Sequence, residues 1–333
     1  TRHAAMGLKV IKAGVLNTIQ DRGRTGFSKW GINPGGLMDA YAGRVANTLV
    51  GNPMETGVVE LHFPAGELLA TRPLVMALGG ADFGAVINDI AIPVWRTVLI
   101  PSGAVLRFTR KIRGERCYLA VQGGFAADVW LNSCSTNLKL GAGGIGGRPL
   151  RKDDVLEISP TALPLKNPSR PVIFRWSVNS NSVYENPNEI RVVQGPEWDW
   201  IDPEAQLNFI RNSFVIDRSS DRMGYYLAHT PLTPTTTQQL VSSAVTMGTI
   251  QLMPSGRMLV LMADHQTTGG YPRIAHVITT DLPKLAQLGA GEAIRLKKIP
   301  VDEAEKIVIS LGRHLRIIQQ SCLQNLRNDH ALR

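Results

Sequence analysis

Cysteine is scarce in this 333-residue sequence: three occur, Cys117, Cys134 and Cys322, and none stands in a Cys-x-x-Cys spacing. That argues against a disulfide framework or a thiolate zinc site and fits a reduced, cytoplasmic setting. Long apolar runs are missing too, since the longest are strand-sized and broken by charge or glycine, short of the ~20 residues a membrane helix needs. The opening Thr-Arg-His-Ala-Ala before Met6 has no apolar centre, so it reads as a processed or appended tail and not as a secretory signal. Aromatic residues are few, 6%. The basic clusters Arg107 to Arg116 and Arg148 to Lys152 have none of the aromatic interleaving of a single-stranded nucleic-acid platform. No G-x-x-x-x-G-K-[ST] loop, G-x-S-x-G elbow, Ala-Met-Lys-Met-like biotin attachment segment or ATP-grasp-sized domain occurs. His62, His265 and His276 are not at metal-ligand spacing with a carboxylate, so no metal site is expected.

What is present is glycine, proline and many short apolar segments. Hydrophobic content of 44% over this length supplies two cores. Thirty-six Lys+Arg against 27 Asp+Glu give a formal charge of +9, which favours anionic partners such as nucleotide phosphates or an acidic protein but chooses none. Strand-like runs rich in Val, Ile and Leu recur between Gly, Pro and Asn: Leu8 to Ala13, Gly57 to Phe63, Leu74 to Leu78, Val105 to Phe108, Cys117 to Val121, Val155 to Ile158, Val172 to Trp176, Ile190 to Val193 and Gly248 to Leu252. This is the pattern of sheets that curl or close. Helices are predicted at Asp39 to Val50, with Asp39 as cap and Gly51 as stop, and at Pro203 to Asn212, Asp281 to Leu288 and beyond Pro300. In the last, Leu311, Leu315, Ile318, Cys322 and Leu326 recur at helical spacing, a stripe for packing on its own chain. Pro160, Pro164 and Pro168 mark a linker at 161–170 between two mainly-β halves, 1–160 and 171–333.

The densest chemistry lies in Asp264-His265-Gln266-Thr267-Thr268-Gly269-Gly270-Tyr271-Pro272-Arg273. The apolar runs 257–263 and 274–279 deliver this loop from one buried strand and return it on another. Gly269 and Gly270 let a ligand approach the backbone, and Pro272 turns Tyr271 out of the helical region. From the residues alone, a binding site and a plain hairpin turn both stand. If it is a site, the loop lines the main cleft of the second half. Gly141-Ala142-Gly143-Gly144-Ile145-Gly146 matches G-x-G-x-x-G, but a Rossmann loop needs a helix after it, and here Arg148-Pro149-Leu150 and a strand follow; a small anion nest beside Arg148 is the remaining use. Gln20, Asp21 and Arg24 read equally as a local salt bridge or as ligand contacts. Arg222 suits a carboxylate or phosphate oxygen, or else pairs with Asp221 or another carboxylate. Ser133 and Ser135 read as hydrogen-bonded hydroxyls and not as nucleophiles.

The 264–273 run resembles a signature of the 5-oxoprolinase C-subunit family, also described as the biotin-dependent carboxyltransferase or allophanate hydrolase subunit 2-like family. So do Thr18 to Phe27, Gly31 to Asp39, Ala46 to Asn52, Cys117 to Gly124, Ser133 to Thr136, Gly195-Pro196 and Ser220 to Tyr225, all in the family's order. His265 departs from the family's pattern, which makes it a poor choice for an essential acid or base. The resemblance implies a cyclophilin-like β-barrel core in each half, with the C-terminal helix added. It implies the C subunit of an ATP-dependent 5-oxoprolinase, a hydrolase that opens 5-oxo-L-proline to L-glutamate. Implied catalytic residues are Arg222, Asp264, Gln266 and Tyr271; implied substrate contacts are Gln20, Asp21, Arg24, Thr267, Thr268, Gly269, Gly270 and Arg273. ATP, with Mg, would be a co-substrate of the complex, and no biotin would be attached. Partners would be a B-like (allophanate hydrolase subunit 1-like) protein and an A-like lactam-utilisation protein, with neither nucleic acid nor membrane. Two alternatives stand beside this: a urea carboxylase-like carboxyltransferase component, and a non-catalytic partner of a sporulation-kinase inhibitor.

Overall fold

A computed structural model describes residues 7–159, 165–229, 231–236, 238 and 240–328. The chain is mainly β and separates into two compact units that interleave along the sequence. The first combines the chain up to Gly23, Asp39–Ser180 and the stretch from His314 onward; the second combines Arg24–Met38 with Asn181–Arg313. Of the expected linker, residues 161–164 lie outside the described residues, and 165–170 carry neither helix nor strand.

The first unit holds two six-stranded sheets. One runs in the order 155–157, 7–12, 67–70, 105–108, 85–87, 90–91; the other runs 172–177, 96–100, 74–82, 113–121, 58–61, 18–20. Leu8, Val10, Leu68 and Leu106 from one sheet and Ile19, Met76, Leu78 and Leu119 from the other share a single core. Strand Leu74–Asp82 is buried along nearly its whole length. Its outer face is covered by helix α1, Ala40–Leu49. A Cβ at Gly79 would lie 2.7 Å from the Ala42 carbonyl oxygen, so glycine there is what admits the helix backbone. As the sequence predicts, Asp39 caps α1 by accepting from the Ala42 amide, and Gly51, at φ 79°, follows its end.

The second unit closes into a seven-stranded barrel in the order 189–194, 273–277, 249–252, 258–261, 224–228, 213–216, 293–298, with the last strand pairing back in parallel on the first. Alternate residues point inward, among them Ile190 and Val192, Ile250 and Leu252, Met258 and Val260, and Ile294 and Leu296. Helix α2, Pro203–Arg211, starts on the Asp202 cap and adds Phe209 to this core. Helix α3, Leu282–Ala286, has no side-chain cap: the buried Asp281 carboxylate is taken by the Arg191 backbone amide and guanidinium at 2.6–3.0 Å. Helix α4, Val301–Asn328, buries Ala304, Leu315, Ile318 and Cys322, with Leu311 and Leu326 half-buried. No described helix is long and apolar enough to cross a membrane.

Candidate functional site

Barrel topology creates the signature loop. Strands Met258–Leu261 and Arg273–Val277 are not partners of each other; each pairs with one edge of Thr249–Leu252, so the chain between them must cross the end of that strand. The crossing is stitched down by the Asp264 amide donating to the Arg222 carbonyl (2.8 Å), by Val245 donating to Thr267, and by a two-stranded ladder of Thr268–Gly269 with Ser243–Ala244.

Arg222 is the centre of the cluster. The Asp221 carboxylate accepts from the amides of Met223 and Gly224, which fixes the turn and leaves Arg222 directed inward. Its Nε lies 2.8 Å from Asp264 Oδ2 and its Nη2 3.1 Å from Oδ1, a two-point fork; Nη2 also donates to the Gly36 carbonyl at 2.7 Å. Pairing with a carboxylate other than Asp221 is therefore realised, and the partner is itself a predicted site residue. Arg24 is fully buried and donates its backbone amide to Pro34. A Cβ at Gly35 would lie 3.3 Å from Arg24 Nη1 and 3.5 Å from Asp264 Oδ1, so the bare Gly35 backbone is flanked by a second guanidinium and by the carboxylate that holds Arg222. Sequence reasoning missed Gly35 and Gly36 as site residues; their adjacency was the available signal, and both take positive φ in the structure.

Beside this cluster, Gln266 donates from Nε2 to Gln251 Oε1 at 3.3 Å. Gln251 is fully buried, its Nε2 has no hydrogen-bond partner among the described residues, and it faces Gly269, where a Cβ would come within 2.4 Å of it. Sequence reasoning missed Gln251 because its neighbours read only as a strand. Thr267 is buried, Thr268 is exposed on its short ladder, Gly270 lies against the Leu240 carbonyl, and Tyr271 is 40% exposed. His265 is buried with Nδ1 at the Gln266 carbonyl; burial lowers its pKa, only partly offset by that carbonyl and by Asp264.

Three expected contacts are engaged within the protein. Arg273 forms a two-point pair with Glu197 (2.9 and 2.7 Å), which binds its guanidinium internally and holds that carboxyl below its usual range. Asp21 is not left open to ligand: its oxygens accept from the hydroxyls of Ser133 and Ser135 (2.6 Å each) and the amides of Cys134 and Gly23 (2.8 Å each). Burial alone would raise its pKa, and these four bonds reverse that and leave it lowered. Gln20 is buried, donating to Thr18 and to the Thr136 carbonyl. The Gly141–Gly147 turn is followed by no helix, and Arg148, which would serve an anion nest, is locked two-point onto Asp154 (2.7 and 2.8 Å). A cavity of ≈ 240 Å³ in the second unit is lined by Asp202, Asn208, Phe214, His229 and Leu232 among others, and by no residue of the 264–273 loop. Among the described residues no group of three His, Cys, Asp or Glu is placed to hold a metal ion.

A closed barrel and a two-sheet unit in one chain, with this loop at the barrel's crossing, are the setting in which a carboxyltransferase-domain match falls. The family model for the carboxyltransferase domain, subdomains A and B, matches residues 30–298, and the chain belongs to that family, on its 5-oxoprolinase C-subunit branch. It is 37% identical to the 5-oxoprolinase C subunit of Escherichia coli K12 over 90% of this chain and 93% of that protein, and 33% identical to that of Haemophilus influenzae over 87% and 90%. In fold it resembles the urea amidolyase of K. lactis, with a TM-score of 0.85 at 24% identity; that likeness covers 96% of this chain but only 20% of the amidolyase.

Proposed function

We propose that this chain is the C subunit of an ATP-dependent 5-oxoprolinase complex that opens 5-oxo-L-proline to L-glutamate. The observation that carries the reading is likeness to two bacterial 5-oxoprolinase C subunits along nearly the full length of both partners. The Arg24, Arg222 and Asp264 cluster gives that reading a chemistry. A lactam is a poor electrophile because attack must overcome nitrogen lone-pair donation. Phosphoryl transfer from ATP to the lactam oxygen releases ADP and makes the ring carbon electrophilic. Water then adds at carbon, the C–N bond breaks with protonation of the amine, and a second water releases phosphate. Negative charge on the transferred group and on the substrate carboxylate needs fixed cations, and Arg222 and Arg24 supply them. Asp264 holds the Arg222 fork in place, and Gln266 and Gln251 offer amide N–H groups to a carbonyl oxygen. Arg273, bound to Glu197, shapes the loop's exit instead.

The B-like partner and the A-like lactam-utilisation partner complete the machinery, and ATP with Mg is handled by that assembly in the cytoplasm. The test is glutamate release with stoichiometric ADP. The purified chain should turn over negligibly, and co-purified partners should restore activity. Robust turnover by the chain alone overturns the division of labour. Carboxyl transfer is the second reading, favoured by 26% identity to the urea amidolyase of Lachancea kluyveri across 97% of this chain, which spans 18% of that protein. Bicarbonate- and biotin-dependent carboxylation by the assembly, without lactam opening, would decide for it.

A further inference from the structure

We infer that helix α4 is a self-association element that pairs antiparallel with the same helix of a second copy of this chain. The family match ends at residue 298, three residues before α4 begins at Val301, so the site described above does not account for this helix. One face of α4 is buried against its own chain through Ala304, Leu315, Ile318 and Cys322. Beside it, at the 3.6-residue repeat, runs a second stripe: Val301, Glu305, Val308, Ile309, Gly312, Arg316 and Gln320. Its apolar members lie in solvent, Val301 at 58%, Val308 at 40% and Ile309 at 53% exposure.

Gly312 is the second, independent observation. Glycine in a helix interior is unfavourable relative to alanine. Nothing among the described residues of its own chain explains it, because a Cβ there would meet no atom within 4 Å. An open notch in the middle of a 28-residue helix, next to an exposed isoleucine, fits the close approach of a second helix. Charge selects the occupant. Three acids, Asp302, Glu303 and Glu305, lie in the first turns against one base, Lys306, which pairs with Asp302, and Arg313, Arg316 and Arg327 lie further on with no acid among them, a net polarity that is self-complementary only when two copies run antiparallel. A two-fold axis between Ser310 and Leu311 places Ile309 in the notch at the partner's Gly312 and Glu305 opposite the partner's Arg316, each contact occurring twice, as an isologous interface requires.

Sedimentation equilibrium of the full chain across a concentration series tests this. The wild type should dimerise. Gly312→Leu, whose Cβ meets no atom of the described chain within 4 Å beyond the helix's own backbone and whose side chain would fill the notch, should be monomeric with an unchanged far-ultraviolet circular dichroism spectrum. Glu305→Arg and Arg316→Glu should each weaken dimerisation by about tenfold, since each change sets like charges opposite one another twice, and the double exchange Glu305→Arg/Arg316→Glu should restore it. Both positions are exposed, so the charge pair remains a valid test if the leucine variant fails to fold. A monomeric wild type, a dimer indifferent to Gly312→Leu and to both charge reversals, or a double exchange that fails to restore pairing would each overturn the inference, including the case in which this face receives a different protein.

Discussion

Asp21 in the first unit and Asp264 in the second are both carboxylates in glycine-broken loops, each within a few residues of an arginine or a threonine, yet their partners divide them. Asp21 is met by two serine hydroxyls and two backbone amides, all neutral, all pulling loops of its own unit together. Asp264 is met by a guanidinium, whose spare Nη2 contact goes to the Gly36 carbonyl. Asp21, held by neutral donors, ties a fold together, whereas Asp264 fixes the position of a cation. Other such forks, Arg273 with Glu197 and Arg148 with Asp154, are structural, so what sets Asp264 apart is its place in the 264–273 loop beside Arg24, where a fixed cation can meet charge that develops during a reaction.

The sharpest way to break this contrast is Arg222→Ala. In the assembled enzyme it should lower turnover by about 10²–10³-fold, on the order of 3–4 kcal/mol of transition-state stabilisation. It should also lower the melting temperature, because Asp264 is left without its fork. Arg222→Lys keeps the charge and should recover part of the rate. Specific activity per folded molecule decides the issue: if it is normal in Arg222→Ala, Asp264 is another structural carboxylate and the contrast collapses.

Asp21→Asn should do the reverse. An amide nitrogen would face donors that need an acceptor, costing roughly 2–3 kcal/mol of stability, while activity per folded molecule in the assembly stays at the wild-type level. Urea unfolding alongside turnover checks it, and a turnover defect without a shifted midpoint would move Asp21 back among the ligand contacts. Smaller still is Gly269→Ala, whose Cβ must displace the Gln251 side chain and should cost about 1–2 kcal/mol. Its effect should fall on substrate KM through the Gln251 and Gln266 amides. Unchanged KM with lost stability would make that amide pair a structural brace.

The same contrast shows what the sequence could carry. Asp39 and Gly51 bracket α1 because a cap and a left-handed stop are local events, written at the two ends of one short helix. The loop's flanking strands were legible for the same reason, from apolar runs of strand length. What was not legible depends on separation. Arg273 looked like a free cation until Glu197, 76 residues away, closed on it. Asp21 looked like a ligand contact until Ser133 and Ser135 arrived from more than a hundred residues on. Strand Ala293–Lys298 alternates apolar and charged residues and was readable in principle, yet its parallel pairing with Glu189–Gln194, which closes the barrel, is a matter of topology alone. Gly35 and Gly36 acquire meaning only once Arg24 and Asp264 flank the first and Arg222 bonds the carbonyl of the second.

The smallest effect concerns pH, and it separates the units without a mutation. His265 and His276, both in the second unit, have pKa values lowered by burial, so the folded state keeps them neutral while the unfolded chain protonates them near the ordinary value of about 6.5. As pH falls through that value the unfolded state binds protons that the folded state does not, and stability declines until the folded values are passed. Asp21 behaves oppositely in window though not in sign. Its folded pKa is lowered, so its contribution is complete above the unfolded carboxylate value and disappears only in stronger acid, as pH falls through the folded value. Between pH 7 and pH 5, therefore, hydrogen exchange corrected for its intrinsic pH dependence should show the barrel loosening while the two-sheet unit holds. His265→Gln with His276→Gln should flatten that slope. Equal loosening of both units, or a slope that survives the double substitution, would assign the acid sensitivity to other groups and leave the two units alike in this respect.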